Sequence, residues 1–232
     1  MTEQFTVQED ENSINIIVTT EVIATQVPAI IEKIRLAFSS VQKQLYVQFV
    51  KKEFDYQPAV SLAHWHKAIE QSVFILDAKK TYELDIFSKG YLKAAFSIDA
   101  ITSLTAEEIK GIEQGENEWY PTRFHPLRYR SYAQNSVVLR HNQQVIGWCI
   151  VTPATPQLLL YDNLFVKKEY QSLGRALSLF HHALAIQLAQ SPIRYFTFTV
   201  HGDNDLMLKV LKKRVETVLV DYQSVVIYHL LD

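Results

Sequence analysis

Along the chain, stretches in which apolar residues recur at every second position alternate with stretches in which they recur every three or four, the periods of a strand and of a helix. Ser13 to Thr20 (SINIIVTT) reads as a strand, and Pro28 opens a helix whose Ile30, Ile34, Ala37, Phe38 and Val41 make one apolar stripe. Leu45 to Val50 follows as a strand. Pro58 opens a second helix predicted to run to about Glu70. Val73 to Leu76 and Tyr82 to Phe87 then read as a strand pair around the polar turn Asp77 to Lys80. The first part of the chain is thus predicted to be β-α-β-α-β-β.

After a helix over Thr105 to Gln114 comes Gly115 to Gln134, which has no clean period. Its Trp119, Tyr120, Phe124, Tyr129 and Tyr132 argue against disorder, because such side chains find something to pack on. Ser136 to His141 and Val145 to Val151 form a predicted hairpin that turns through Asn142 to Gln144. The earlier order then recurs: a strand Leu158 to Val166, a helix from about Gly174, a strand Tyr195 to Val200, a helix Asp203 to Lys213 and two closing strands. At its end TVLVDYQSVVIYHL (Thr217 to Leu230) parallels VFILDAKKTYELDI (Val73 to Ile86), which suggests a degenerate internal duplication. The expected class is therefore α/β with a mixed sheet, divided into halves at residues 1–88 and 89–232.

Composition narrows the functional classes. A chain of 232 residues, 48% hydrophobic, can bury one large core or two modest ones. Its net charge of -2 is spread along the chain, so nothing selects nucleic acid or an anionic membrane as partner. The one cysteine, Cys149 in GWCIV, excludes an internal disulfide and reads as a buried strand thiol. With a polar, acidic N-terminus and no apolar run of membrane-spanning length, the expectation is a cytoplasmic, soluble protein.

The chemistry concentrates in Leu164 to His182 (LFVKKEYQSLGRALSLFHH), where an apolar strand runs through a glycine-bearing loop into an amphipathic helix. A glycine there lets backbone approach a bulky anion, and the first helical amides, without intrahelical partners, point at it along the helix dipole. Leu173, Leu177, Phe180, Leu184 and Leu188 recur at helical spacing and are predicted to seat the helix on the sheet. The loop Gln171-x-x-Gly174-x-Ala176, following Leu164-Phe165-Val166, resembles the Q/R-x-x-G-x-G/A signature of the GCN5-related N-acetyltransferases. The resemblance spans about Ser136 to Asp232 in the family's order of elements.

That resemblance implies an acyl-CoA-dependent N-acyltransferase, acetyl-CoA foremost, acting on an amine of a small molecule, peptide or protein side chain. It implies that the strand before the loop splays from its neighbour at a bulge, leaving Leu164, Phe165 and Val166 to pair with pantetheine. The amides of Gln171, Ser172, Leu173, Gly174, Arg175 and Ala176 would hold the pyrophosphate. Asn204 corresponds to an asparagine that contacts the pantetheine arm, though it also reads as an N-cap or turn residue. The family's usual tyrosine, seven positions later, is here Leu211. A thiolate leaving group of pKa about 8.5 needs little acid help, so this departure does not exclude catalysis. It does leave a non-catalytic CoA-binding module as the alternative.

For the base that deprotonates the amine, Asp162 is the first candidate, a carboxylate interrupting an apolar strand and expected to be desolvated; a solvent-facing strand carboxylate is the plainer reading. His201 is the second, with an ordinary polar strand end as its alternative. Arg123, His125, Arg128 and Arg130 read either as a grip for an acidic group or as a solvated loop. The His64-x-His66 pair has no third ligand in sequence, and no metal is expected. In the first half the corresponding loop is Gln26-Val27-Pro28-Ala29-Ile30. It lacks glycine, and proline removes an amide, so residues 1–88 are expected to bind no cofactor. A homodimer is compatible with the sequence, which does not specify one.

Overall fold

A computed structural model describes residues 5–9, 13–18, 27–38, 44–51, 65–84, 92, 94–128, 133–171 and 174–230. In chain order the elements are β1 (Phe5–Glu9), β2 (Ser13–Val18), α1 (Val27–Ala37), β3 (Gln44–Lys51), β4 (Trp65–Asp77), α2 (Ala78–Tyr82) and β5 (Phe96–Ala100). There follow α3 (Ala106–Gln114), β6 (Val137–His141), β7 (Gln144–Thr155), β8 (Leu158–Val166), α4 (Arg175–Gln190), β9 (Tyr195–His201), α5 (Asp205–Val215) and β10 (Leu219–Leu230). The chain forms two compact units: residues 1–74 with 199–213 and 221–232, and residues 75–198 with 214–220. The expected mixed α/β class is what the structure has.

In the first unit the strands run in the order β1, β2, β3, β10, β4. β2 and β3 are parallel, joined through α1, while β1/β2 and β3/β10 are antiparallel. The alternation in SINIIV buries Ile14, Ile16 and Val18. Leu45, Val47 and Phe49 do the same on β3, and Ile30, Ile31 and Ile34 of α1 close the core with Tyr228. The stripe predicted for α1 thus shifts by a residue: Ile31 joins it, Phe38 packs partly, Ala37 is exposed, and Val41 lies outside the described residues.

The second unit orders its strands β9, β8, β7, β6, β5, parallel only at β8/β9. One face carries Val138, Trp148 and Ile150 against Ile101, Ile112 and Tyr120, the last donating to the Ile112 carbonyl at 2.7 Å. On the other face, Tyr161 and Phe196 meet Phe180 of α4 at ring separations of 5.3 and 5.6 Å. A buried chain of polar groups ties α4 down: Asn135 Nδ2 donates to the Tyr161 hydroxyl at 2.9 Å, which donates to Gln187 Oε1 at 2.8 Å, whose Nε2 donates to the Ile193 carbonyl at 3.0 Å. The predicted hairpin is present, with Asn142 and Gln143 at positive φ in its two-residue turn. In the aromatic stretch Trp119 and Tyr120 pack on Trp148, while Tyr129 and Tyr132 lie outside the described residues. Cys149 is buried, its thiol pushed up to about 12 by burial.

Four predicted elements differ. Trp65 to Glu70 is strand, the start of β4, where a helix was predicted; residues 58–64 lie outside the described residues. The alternation on β4 is masked in sequence because a polar residue occupies an inward position: Ser72 is buried against the Tyr222 hydroxyl at 2.9 Å. Asp77 to Lys80 is no hairpin turn. Asp77 caps α2, accepting from Lys80 N at 3.0 Å and from Arg194 Nε at 2.7 Å, and Tyr82 ends the helix instead of opening a strand. The two closing strands are one, β10, because polar Asp221 and Gln223 flank a buried Tyr222 whose ring meets Phe74 at 5.2 Å. The segments that look alike in sequence therefore differ in structure. Finally, α4 buries Leu179, Phe180, Ala183, Leu184 and Gln187, while Leu188 is exposed.

One polar cluster of the second unit sets a measurable acid dependence. Thr105 and Glu108 form a reciprocal capping box at the start of α3, and Glu108 also accepts from Arg140 Nε at 2.6 Å. The hydrogen bond from Arg140 holds the Glu108 carboxyl at about 2, below its ordinary range. A folded-state pKa below the unfolded one stabilises fully above the unfolded value, and that contribution disappears as pH falls toward about 2. Glu108→Gln is expected to lower unfolding free energy by about 1–3 kcal/mol at pH 7 and by much less near pH 2.5 in denaturant titrations. Equal losses at both pH values would locate the effect outside the ion pair.

Candidate functional site

The site begins where β8 stops pairing with β9. Their parallel ladder runs over Leu158↔Tyr195, Leu159↔Phe196 and Leu160↔Thr197, and no further pair forms among the described residues, although β8 continues to Val166 and β9 to His201. The register of β7 against β8 shifts at the same place: Ile150 faces Asn163 and Val151 faces Tyr161, so Asp162 is the extra residue of a bulge. Asp162 is exposed at this bulge, where a desolvated carboxylate was anticipated. Beyond it Leu164, Phe165 and Val166 remain paired to Cys149, Trp148 and Gly147. The tight approach at the last pair requires glycine, since a Cβ on Gly147 would stand 2.6 Å from the Phe165 carbonyl oxygen.

From Val166 the chain passes through a short 3-10 turn, Lys168–Tyr170, to Gln171 and then to Gly174, with Ser172 and Leu173 outside the described residues. Gly174 has φ 70° and ψ 22°, the left-handed region that favours glycine, and it is the N-cap of α4. Having no side chain, Gly174 makes no side-chain cap to the first turn of α4, and no acidic residue stands in that turn. Two side chains brace the turn from behind. Gln171 Nε2 donates to the Val166 carbonyl at 2.9 Å, and Arg175 donates to the Tyr170 carbonyl at 3.0 Å while its guanidinium lies 4.5 Å from the Phe96 ring centroid. Arg175 is buried, its guanidinium turned to the Phe96 ring and so not offered to a ligand. Sequence reasoning treated both residues as amides alone. A braced, glycine-turned helix start without an acidic residue, next to a strand edge released from its ladder, suits an elongated ligand with an anionic end.

Other candidates stand elsewhere. His201 ends β9 and is exposed; its carbonyl accepts from Asn204 N at 3.0 Å. Asn204 Oδ1 accepts from Met207 N at 3.2 Å, the geometry of a cap on α5. Leu211 is buried on α5. Arg123 lies over the Phe124 ring, while His125 turns inward, accepting from Leu127 N at Nδ1 and approaching Glu116 at 3.7 Å. These two are therefore not one grip, and Arg130 lies outside the described residues. Among the described residues no group of three or more His, Cys, Asp and Glu gathers. No helix among them is long and apolar enough to cross a membrane.

No family model and no curated protein matches this chain. Solved structures do. A GCN5-related N-acetyltransferase from Sphaerobacter thermophilus superposes with TM-score 0.56 at 8% identity, over 98% of this chain and 76% of its own. A tandem GNAT protein from the clavulanic acid biosynthesis pathway superposes with TM-score 0.54 at 14% identity, over 97% of this chain and 77% of its own. The likeness is one of fold.

The bracing of the turn is testable by itself. Gln171→Ala removes the bond to the Val166 carbonyl but no amide, so amide exchange at Ser178, whose N donates to the Gly174 carbonyl at 2.9 Å, is expected to accelerate about tenfold while the global unfolding midpoint moves little. Unchanged exchange in this turn would show that the side chain does not hold it.

Proposed function

Taking as premise that the chain has the GCN5-related N-acetyltransferase fold, we propose that it transfers an acyl group, acetyl foremost, from acyl-CoA to a primary amine by direct attack in a ternary complex. The observation that carries this is the left-handed Gly174 opening a helix whose first turn has no side-chain cap from Gly174 and no acidic residue, following a strand that has left its ladder. Gln171 and Gly174 to Ala176, with Ser172 and Leu173, bind the pyrophosphate through backbone amides. Leu164, Phe165 and Val166 pair with the pantetheine arm, and Asn204 contacts it. Residues 1–88 bind no coenzyme.

At the reacting centre Asp162 takes the proton of the amine, directly or through one water, and His201 is the second candidate for that role. The exposure of Asp162 supports a water-mediated route, because an exposed carboxylate keeps a hydration shell. The lone pair released on nitrogen forms the amide bond, and the thiolate departs. Leu211 offers no proton to it, which also favours a second reading, a CoA-binding module without turnover. Incubation with acetyl-CoA and a panel of amines, following free thiol, separates the two: CoA binding without acceleration on any amine supports the module.

Gly174→Pro is expected to abolish CoA binding in calorimetry, and one equivalent is expected per chain of the unaltered protein. Unchanged affinity in a folded Gly174→Pro protein would refute the cradle. Asp162→Asn is expected to lower kcat/KM by about 10²-fold with CoA affinity nearly unchanged, and to remove the acidic limb of the pH-rate profile. If His201→Ala removes that limb instead, the two roles are exchanged.

A further inference from the structure

Two polar side chains beside the opening of the ladder each bury an atom that has no hydrogen bond among the described residues. Asn163, 1% exposed, and Thr197, 6% exposed, leave Nδ2 and Oγ1 with no hydrogen bond among the described residues. Such groups cost about 1–3 kcal/mol each when unsatisfied. Their chemistry can be read. Trp148 Nε1 approaches Asn163 Oδ1 at 3.2 Å, and an indole nitrogen only donates, so the amide oxygen is the group that faces it and the free group is the N–H₂ donor. The Thr197 hydroxyl can accept or donate.

The two residues share a face. Asn163 is opposite Ile150 and bonds Trp148, both on the aromatic face; Thr197 alternates with Phe196, which meets Tyr161 and Phe180 on the α4 face. They therefore lie across the sheet from the helix whose amides form the cradle. Along their own face, two residues beyond Asn163, Phe165 stacks on Trp148 and approaches Trp119 and Phe124 at 5.9 and 5.7 Å, all three rings partly exposed.

We infer that Asn163 and Thr197 bind one amide group of the acceptor, its carbonyl accepting from Asn163 Nδ2 and its N–H donating to Thr197 Oγ1, so that the acceptor is an amine carrying an amide with an apolar side chain on the aromatic rings. This deepens the acyl-transfer reading and rests on it. A carboxylate is disfavoured at this pair, because both atoms are closed to water and the cations recorded nearby, Lys167 and Arg123, stand over the Trp119 and Phe124 rings at 5.2 and 5.1 Å. An amide matches the donor and the acceptor together, and an ester matches only the donor. Both atoms are closed to water in this structure, so entry requires side chains to part; the partly exposed rings of Trp119, Phe124 and Phe165 are those nearest the surface.

Calorimetry on the full chain, with and without CoA, would compare phenylalaninamide, phenylalanine methyl ester and phenethylamine. The expected result is binding of the amide about tenfold or more tighter than either analogue. That preference is expected to vanish in Thr197→Val and Asn163→Leu, with CoA affinity unchanged. Should Asn163→Leu fail to fold, Thr197→Val, which keeps shape and removes only the hydroxyl, decides alone. No preference in the unaltered protein, a preference that survives Thr197→Val, or weakened CoA binding in the variants overturns the assignment, the last by placing the pair on pantetheine. Because these are binding measurements, absence of thiol release with every amine would sink the acyl-transfer reading and leave this result standing on its own.

Discussion

Backbone donors and acceptors withdrawn from a ladder must find other partners, and that requirement organises the second unit around β8. Up to Leu160 the strand is held on both sides; from the Asp162 bulge onward, among the described residues, it pairs with β7 alone. An extended strand so released does not curl back into a turn, because Val166, Phe165 and Leu164 keep their register against Gly147, Trp148 and Cys149, and because the glycine at 147 allows the two backbones to close. The opening is thus a constraint imposed by one extra residue and preserved by tight pairing on the far side.

The helix that follows is fixed by separate means. Its far end is anchored through Gln187 to Tyr161, on the same strand that opens, and its near end by Gln171 and Arg175 gripping carbonyls of the preceding turn. Burial pushes the Tyr161 hydroxyl well above its ordinary range, so it serves as a neutral donor and acceptor in this chain of bonds at any pH at which the protein folds. Strand edge and helix start are thus tied to each other by side chains at both ends of the helix.

Much of this was legible in the residues. The strand Leu158 to Val166, the helix opening at Thr105 and the glycine turn at 174 all announce themselves, because local geometry alone dictates them. What the sequence hid depends on partners distant along the chain. Ser72 and Tyr222 lie 150 positions apart, and their mutual hydrogen bond puts polar atoms at inward positions, which broke the alternation of both β4 and β10. The same holds at the site. The inward turn of Arg175 depends on Phe96, and the orphaned amide of Asn163 on Trp148; neither neighbour follows from spacing.

The placement of β10 between β3 and β4 has a bearing on synthesis. The first unit draws its strands from both ends of the chain, so the sheet begun by Ser13–Val18 and Gln44–Lys51 has no inner neighbour until Leu219–Leu230 has been made. For most of its time on the ribosome the nascent chain carries β3 with an unpaired edge and an apolar face, while the second unit, nearly continuous in sequence, can already fold. In residue order, then, the sheet begun by β2 and β3 is completed only by β10, after every strand of the second unit.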